Sequence, residues 1–229
     1  MPMTTNNLHL DILPPPQRRL WDELSDVPEA FILYGGTAIA LQIGHRESID
    51  FDFFAFETFQ PQDLVTTIPF LQSTEILQQA NSTLTCRVNR EGPAQVSFFG
   101  VPNLSRIQSP IIAPGNGVKI ASLLDLAGMK AAVVQQRPEA KDYIDLGTML
   151  EKMVIDLPTA LTAAKMIYGP SFNPELTLKA LSYYDDGNLR TVPAQHKERL
   201  LEAVRTVDLD QLPVIARDHN NTHDQGLER

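Results

Sequence analysis

The chain has 229 residues, 43% of them hydrophobic, with a formal net charge of −9 and a sequence pI near 5.0. That length fits one large domain or a core plus a helical lobe, and the acidic balance excludes a broad basic surface, so any nucleic-acid substrate must meet a local positive patch. The single Cys86 excludes an intramolecular disulfide and a cysteine-rich metal site; with no signal pattern and no apolar run of membrane-spanning length, the expected compartment is the reducing cytoplasm.

Met1 to Leu13 reads as a loose or strand-like lead, and Pro14 to Pro16 opens a helix through Arg18, Leu20 and Leu24. Arg18 and Arg19 read as a solvated face of that helix. Phe31 to Tyr34 is a short apolar strand that runs directly into Gly35-Gly36-Thr37. Two glycines bring backbone N–H groups close to an anion, and Thr37 is expected to cap a helix over Ala38 to Ile43. The loop His45 to Ser48 then feeds Asp50-Phe51-Asp52-Phe53-Phe54. Alternation along a strand puts Asp50, Asp52 and Phe54 on one face and turns Phe51 and Phe53 into the core. Two like charges side by side are destabilising unless a cation or donors compensate them. Carboxylates there, within reach of a Gly-rich turn, match what magnesium and a nucleoside triphosphate require, hard oxygens for the metal and N–H donors for the phosphates. A purely structural hydrogen-bonded turn is the alternative.

The same residues carry a family likeness. Gly35-Gly36-Thr37 followed by Gly44-His45-Arg46-x-Ser48-x-Asp50-x-Asp52 resembles the first motif of the polymerase-β-like nucleotidyltransferases, and in detail the AbiEii/AbiGii nucleotidyltransferase toxins of type IV toxin–antitoxin systems. The His-Arg-x-Ser spacer is the family-specific part.

Beyond this stretch, Pro61 starts a short helix ending near Pro69, and three extended segments follow, Thr74 to Gln79, Leu84 to Asn89 and Gln95 to Val101, the last two joined by a hairpin at Arg90 to Pro93. In the wider superfamily a third metal-binding carboxylate comes from such a later strand; here the inward candidates are Ser97 and Phe99, and the spacing of Glu57 and Glu91 assigns neither as a substitute. A loop over Pro102 to Gly117, anchored by Ile107, Ile111 and Ile112, returns the chain to Val118-Lys119-Ile120. Ser122 caps the next helix with Asp125 at the capping-box distance. Lys130 falls inside the apolar stripe of that helix, so it needs an anionic partner, and Arg137 extends the line. Asp142 and Asp145 share a face of the following helix and are placed to meet both cations, either as a structural ion pair or as part of a site. From Leu157 onward three proline-initiated helices, from Pro158, Pro174 and Pro193, suit a small bundle. Asp185-Asp186-Gly187-Asn188 is a turn, His196, His219 and His223 lack ligand partners, and Asp218 to Arg229 reads as a frayed polar tail.

Met129-Lys130, Arg137 and Lys141-Asp142-x-x-Asp145-Leu146 resemble the second block of the same toxin family. The resemblance implies an α/β nucleotidyltransferase core with a mixed sheet flanked by helices over residues 1–120, a helical lobe over 121–217 contributing Lys130 and Asp142, and a flexible tail over 218–229. It implies transfer of a nucleoside monophosphate from a nucleoside triphosphate to an acceptor hydroxyl, with Asp50 and Asp52 on Mg2+, and Gly35, Gly36, Thr37, Arg46, Ser48 and Arg137 around the nucleotide. Lys130 is then the phosphate ligand and Asp142 the functional acid, with Asp145 behind it or bridging the helices. The resemblance also implies the end of a transfer RNA as acceptor and a cognate antitoxin as partner. A nucleotide-binding protein without turnover and a small-molecule nucleotidyltransferase are the alternatives; a phosphatase fits less well, because the Gly-Gly-Thr precedes the acidic pair.

Overall fold

A computed structural model describes residues 8–218. Within these residues the chain divides into two compact units, 8–104 with Pro110–Ala121, and Ser105–Ser109 with 122–218.

The first unit contains α1 (Pro15–Leu20), β1 (Ile32–Tyr34), α2 (Gly35–Ile43), β2 (Asp50–Ala55), α3 (Pro61–Thr67), β3 (Glu75–Ala80), β4 (Thr83–Asn89), β5 (Pro93–Gly100), β6 (Ile111–Ile112) and β7 (Lys119–Ile120). The strands form one mixed seven-stranded sheet in the order β3-β4-β5-β2-β1-β7-β6. β1 runs antiparallel to β2 with Tyr34 opposite Asp52, whereas β2 and β5 run parallel with Asp52 opposite Ser97. The period-two pattern of β2 is realised: Phe51 and Phe53 are buried while Asp50, Asp52 and Phe54 are partly exposed. Phe53 stacks on Phe98 with centroids 5.5 Å apart, and Phe31 meets Phe98 edge-on at 5.2 Å. α1 is pinned to the sheet by Gln17, whose Nε2 donates to the carbonyls of Ile49 at 3.0 Å and Pro93 at 3.3 Å. Those contacts hold the entries of β2 and β5 level, which sets the Asp52–Ser97 register.

β6 was not separable from its loop in the sequence, because two residues are too few to carry a period. Ile107 is a buried anchor as expected, but Ile112 is 57% exposed and anchors nothing. It sits on the sheet's outermost strand, where no further strand covers it.

The second unit is helical: α4 (Leu123–Val133), α5 (Ala140–Glu151), α6 (Leu157–Tyr168), α7 (Pro174–Leu181) and α8 (Ala194–Thr206). Ser122 caps α4, accepting from the Asp125 N–H at 3.0 Å and donating to the Asp125 carboxylate at 2.5 Å. Asp125 does more than cap. Its Oδ1 accepts from the Ile107 N–H at 2.8 Å and its Oδ2 from the Gln108 N–H at 3.0 Å, clamping Ser105–Ser109 onto α4. Burial pushes the Asp125 carboxyl up, against the lowering effect of those donors. Asp218, expected in the frayed tail, is fixed: its N–H donates to the Ile107 carbonyl at 3.0 Å and its Oδ2 accepts from the Ser109 N–H at 2.8 Å. The rest of that tail, with His219 and His223, and the lead over residues 1–7 lie outside the described residues.

α4 and α6 approach closely at Gly128, where an added Cβ would stand 2.8 Å from Ala163 Cβ and 2.9 Å from the Ala163 and Ala164 backbone. Gly to Ala inside a helix ordinarily stabilises by about 1 kcal/mol. Here overpacking against backbone, about 1–3 kcal/mol, opposes that gain. Gly128→Ala is therefore expected to lower the urea midpoint; an unchanged or raised midpoint would show that the helices can part at no cost.

Candidate active site

In the first unit β1 hands the chain to α2 without an intervening turn. Tyr34 is extended at the N-cap, and Gly35, at φ +72°, is the first helical residue, so Gly35, Gly36 and Thr37 form the first turn of α2 and not a loop before it. The first N–H groups of a helix have no acceptor within it, which leaves this glycine turn donor-rich. Thr37 is consequently too far along to cap the helix. It is buried, its Oγ1 donates to the Asp50 carbonyl, and it lies 2.7 Å from Ser48 Oγ. Since the Thr37 proton is used on Asp50, Ser48 is the donor to Thr37. Thr37 and Ser48 thus fix the start of β2 and with it the acidic pair.

Gly35 answers to Asp52. A Cβ at position 35 would lie 2.8 Å from Asp52 Oδ2, so only glycine lets the carboxylate stand over the start of α2, and the positive φ asks for glycine independently. Asp50, two residues earlier on the same strand face, forms no side-chain hydrogen bond or ion pair among the described residues. The spacer before the pair is explained in part by backbone: Gly44 ends α2 at φ +60° and donates to the Ala40 carbonyl at 2.8 Å. Arg46 is half-buried, and its Nη1 donates to the Glu47 carbonyl at 3.0 Å.

On β5, Ser97 stands opposite Asp52 and Gln95 opposite Asp50. Ser97 is buried and accepts from Thr85 Oγ1 at 3.3 Å. Glu91 is tied to Arg19 at 2.7 Å, and Glu57 is exposed. Among the described residues no group of three or more His, Cys, Asp and Glu side chains gathers as a metal cluster. Magnesium is commonly held by one or two carboxylates completed by substrate phosphate oxygens, and Asp50 with Asp52 fits that donor set.

In the second unit, Lys130 is buried as its place in the stripe requires. Its Nζ lies 2.5 Å from Asp142 Oδ1 and 2.8 Å from Asp145 Oδ2, and both carboxylates are fully buried. Arg137, half-exposed, donates from Nε to Asp142 Oδ2 at 2.8 Å and from Nη2 to Oδ1 at 3.3 Å. Two cations and two anions balance, the condition under which charges survive burial. Lys130 keeps one of its three N–H groups beyond these two pairs.

Two substitutions test these readings. Gly35→Ala is expected to cost about 1–2 kcal/mol for the left-handed backbone while the chain still folds, and to lower activity disproportionately by moving the Asp52 carboxylate. Equal activity and stability in parallel assays would dissociate Gly35 from Asp52. Lys130→Ala removes the cation that pairs with both buried carboxylates and is expected to cost about 3–5 kcal/mol in denaturant titration; a loss below about 1 kcal/mol would mean that the cluster does not hold α4 to α5.

The family model described as nucleotidyl transferase AbiEii toxin, type IV TA system, matches residues 18–95, a stretch that includes Gly35 to Asp52 and ends before Lys130. The uncharacterized protein aq_aa25 of Aquifex aeolicus (strain VF5) is 32% identical over 158 residues, spanning 68% of this chain and 74% of that protein. Among solved structures, MenT4, the nucleotidyltransferase toxin Rv2826c from Mycobacterium tuberculosis H37Rv, superposes with a TM-score of 0.56 at 15% identity over 84% of each chain, a likeness of fold. With its glycine turn and acidic strand inside the matched region, the chain belongs to the AbiEii family of nucleotidyltransferase toxins and is a nucleotidyltransferase.

Proposed function

We propose that this nucleotidyltransferase moves a nucleoside monophosphate from a nucleoside triphosphate to an acceptor hydroxyl at the end of a transfer RNA, with magnesium, and that it is the toxin of a pair restrained by a cognate antitoxin. The observation that supports the transfer chemistry is that Asp50 and Asp52 share one face of β2 and Asp52 Oδ2 stands over the first turn of α2, where Gly35 leaves room for it. Transfer of this kind forms a bond between the acceptor oxygen and the α-phosphorus, breaks the bond to the bridging oxygen, and releases pyrophosphate and the hydroxyl proton. Asp50 and Asp52 would hold magnesium, which supplies charge neutralisation on the phosphates and a lowered pKa for the attacking hydroxyl. The N–H groups of the first turn of α2 orient the phosphates, and Thr37 and Ser48 keep the acidic strand in register with that turn. The family resemblance carries Lys130 as phosphate ligand and Asp142 as functional acid; it adds Arg46 and Arg137 to the nucleotide site. Transfer RNA and a cognate antitoxin come from the same resemblance; none of the described helices is long and apolar enough to cross a membrane.

A second reading is favoured by one observation. Ser97 occupies the β5 position opposite Asp52, where a third acid would complete a two-metal set, so a protein that binds nucleotide without turning it over also fits.

Incubating the protein with each α-labelled nucleoside triphosphate, magnesium and total transfer RNA separates the two. Label is expected on RNA, falling by about two to three orders of magnitude or more in Asp50→Ala and Asp52→Ala. Binding of triphosphate with no label on any RNA would favour the binding reading, and label on small hydroxyl compounds alone would replace the acceptor.

A further inference from the structure

The two edges of the sheet are unlike. β6 ends it on one side with two residues, a length that offers little to pair with, whereas β3 ends it on the other with six residues, Glu75–Ala80. A terminal strand presents backbone N–H and C=O groups, and proteins usually blunt such a strand with lysine, proline, inward charge, a bulge or shortness. β3, Glu-Ile-Leu-Gln-Gln-Ala, carries neither lysine nor proline, and every one of its residues is exposed, Ile76 by 43% and Leu77 by 38%. Its one formal charge, Glu75, is neutralised by Arg87 Nη1 of β4 at 2.7 Å. Of those devices it has one, a bulge-like register shift against β4 between Ile76 and Gln78, which leaves the strand six residues long and uncharged beyond Glu75.

We propose that β3 is an interface for a second copy of this chain, the two β3 strands pairing antiparallel about a twofold axis and joining two seven-stranded sheets into one. A chain of net charge −9 repels its own copy over most of its surface, so a self-interface needs a stretch free of uncompensated charge, and β3 supplies it. Centred between Leu77 and Gln78, antiparallel self-pairing sets Glu75 opposite Ala80 and Ile76 opposite Gln79, so no like charges face each other. The same patch serves both copies, as a twofold interface demands, and the exposed Ile76 and Leu77 are covered by it. A strand from a different protein would meet the same backbone groups, but it lacks this built-in self-complementarity.

The test is the solution mass of the full chain over a concentration series, by sedimentation equilibrium. Wild type is expected to approach twice the 25.5 kDa chain mass at high concentration. Ile76→Lys/Leu77→Lys, which puts two lysines on the exposed strand, should return the single-chain mass with an unchanged circular dichroism spectrum. Ile112→Lys at the opposite edge should leave the dimer intact. Wild type that stays at the single-chain mass throughout, or a dimer that persists in the β3 variant, overturns the proposal.

Discussion

The 2.8 Å separation between the missing Cβ of Gly35 and Asp52 Oδ2 is the constraint on which the first unit turns. It couples two demands that otherwise oppose each other. An acidic pair on one strand face is destabilising by itself, and it becomes tolerable beside donors and a cation. The first turn of a helix offers such donors only if nothing stands between it and the carboxylate. The remaining contacts hold this geometry in place. Thr37 and Ser48 fix where β2 begins, Gln17 levels β2 with β5, and the Phe53–Phe98 stack locks the opposite face. The aromatic core thus serves the site by allowing no register slip, since a shift of one residue would bury the aspartates and expose the phenylalanines.

The helical unit solves a different electrostatic problem. Lys130 sits inside an apolar stripe, and two fully buried aspartates meet it, with Arg137 closing the balance from the partly exposed side. Such a cluster holds α4 to α5 whatever else it does, because removing one member strands the others in low dielectric. A structural ion pair accounts for these contacts without any ligand. The chemical role proposed for the same residues is compatible with that structural one: a lysine with two acids fixing its position is a preorganised donor.

Much of this was legible from the residues. Alternating Asp and Phe could only be a strand with one polar and one buried face, and Lys130 in an apolar stripe demanded anions that Asp142 and Asp145 were spaced to supply. Thr37 was misread because helix start signals favour a Thr before an apolar run, whereas the extended Tyr34 and left-handed Gly35 begin the helix earlier and free the hydroxyl for Ser48 and Asp50. Asp125 was legible as a capping residue but not as the clamp on Ile107 and Gln108, since bonds across seventeen or eighteen positions leave no local signal. Ile112 looked like an anchor by composition alone, and the exposed strand pair that holds it has no period to read. The acceptor stayed outside reach for a similar reason: the motif spacing suggests where phosphate and metal would be proposed, and nothing in it describes a hydroxyl.

The most direct measurement of the central claim is manganese binding, followed by electron paramagnetic resonance as a visible stand-in for magnesium, with a non-hydrolysable triphosphate present or absent. If Asp50 and Asp52 share the metal with substrate phosphates, manganese should bind tightly only when the triphosphate is present, and Asp52→Asn should weaken that binding by at least about tenfold with the fold intact. Equal manganese affinity in wild type and Asp52→Asn, with triphosphate present, would contradict the account and leave the acidic strand without its cation.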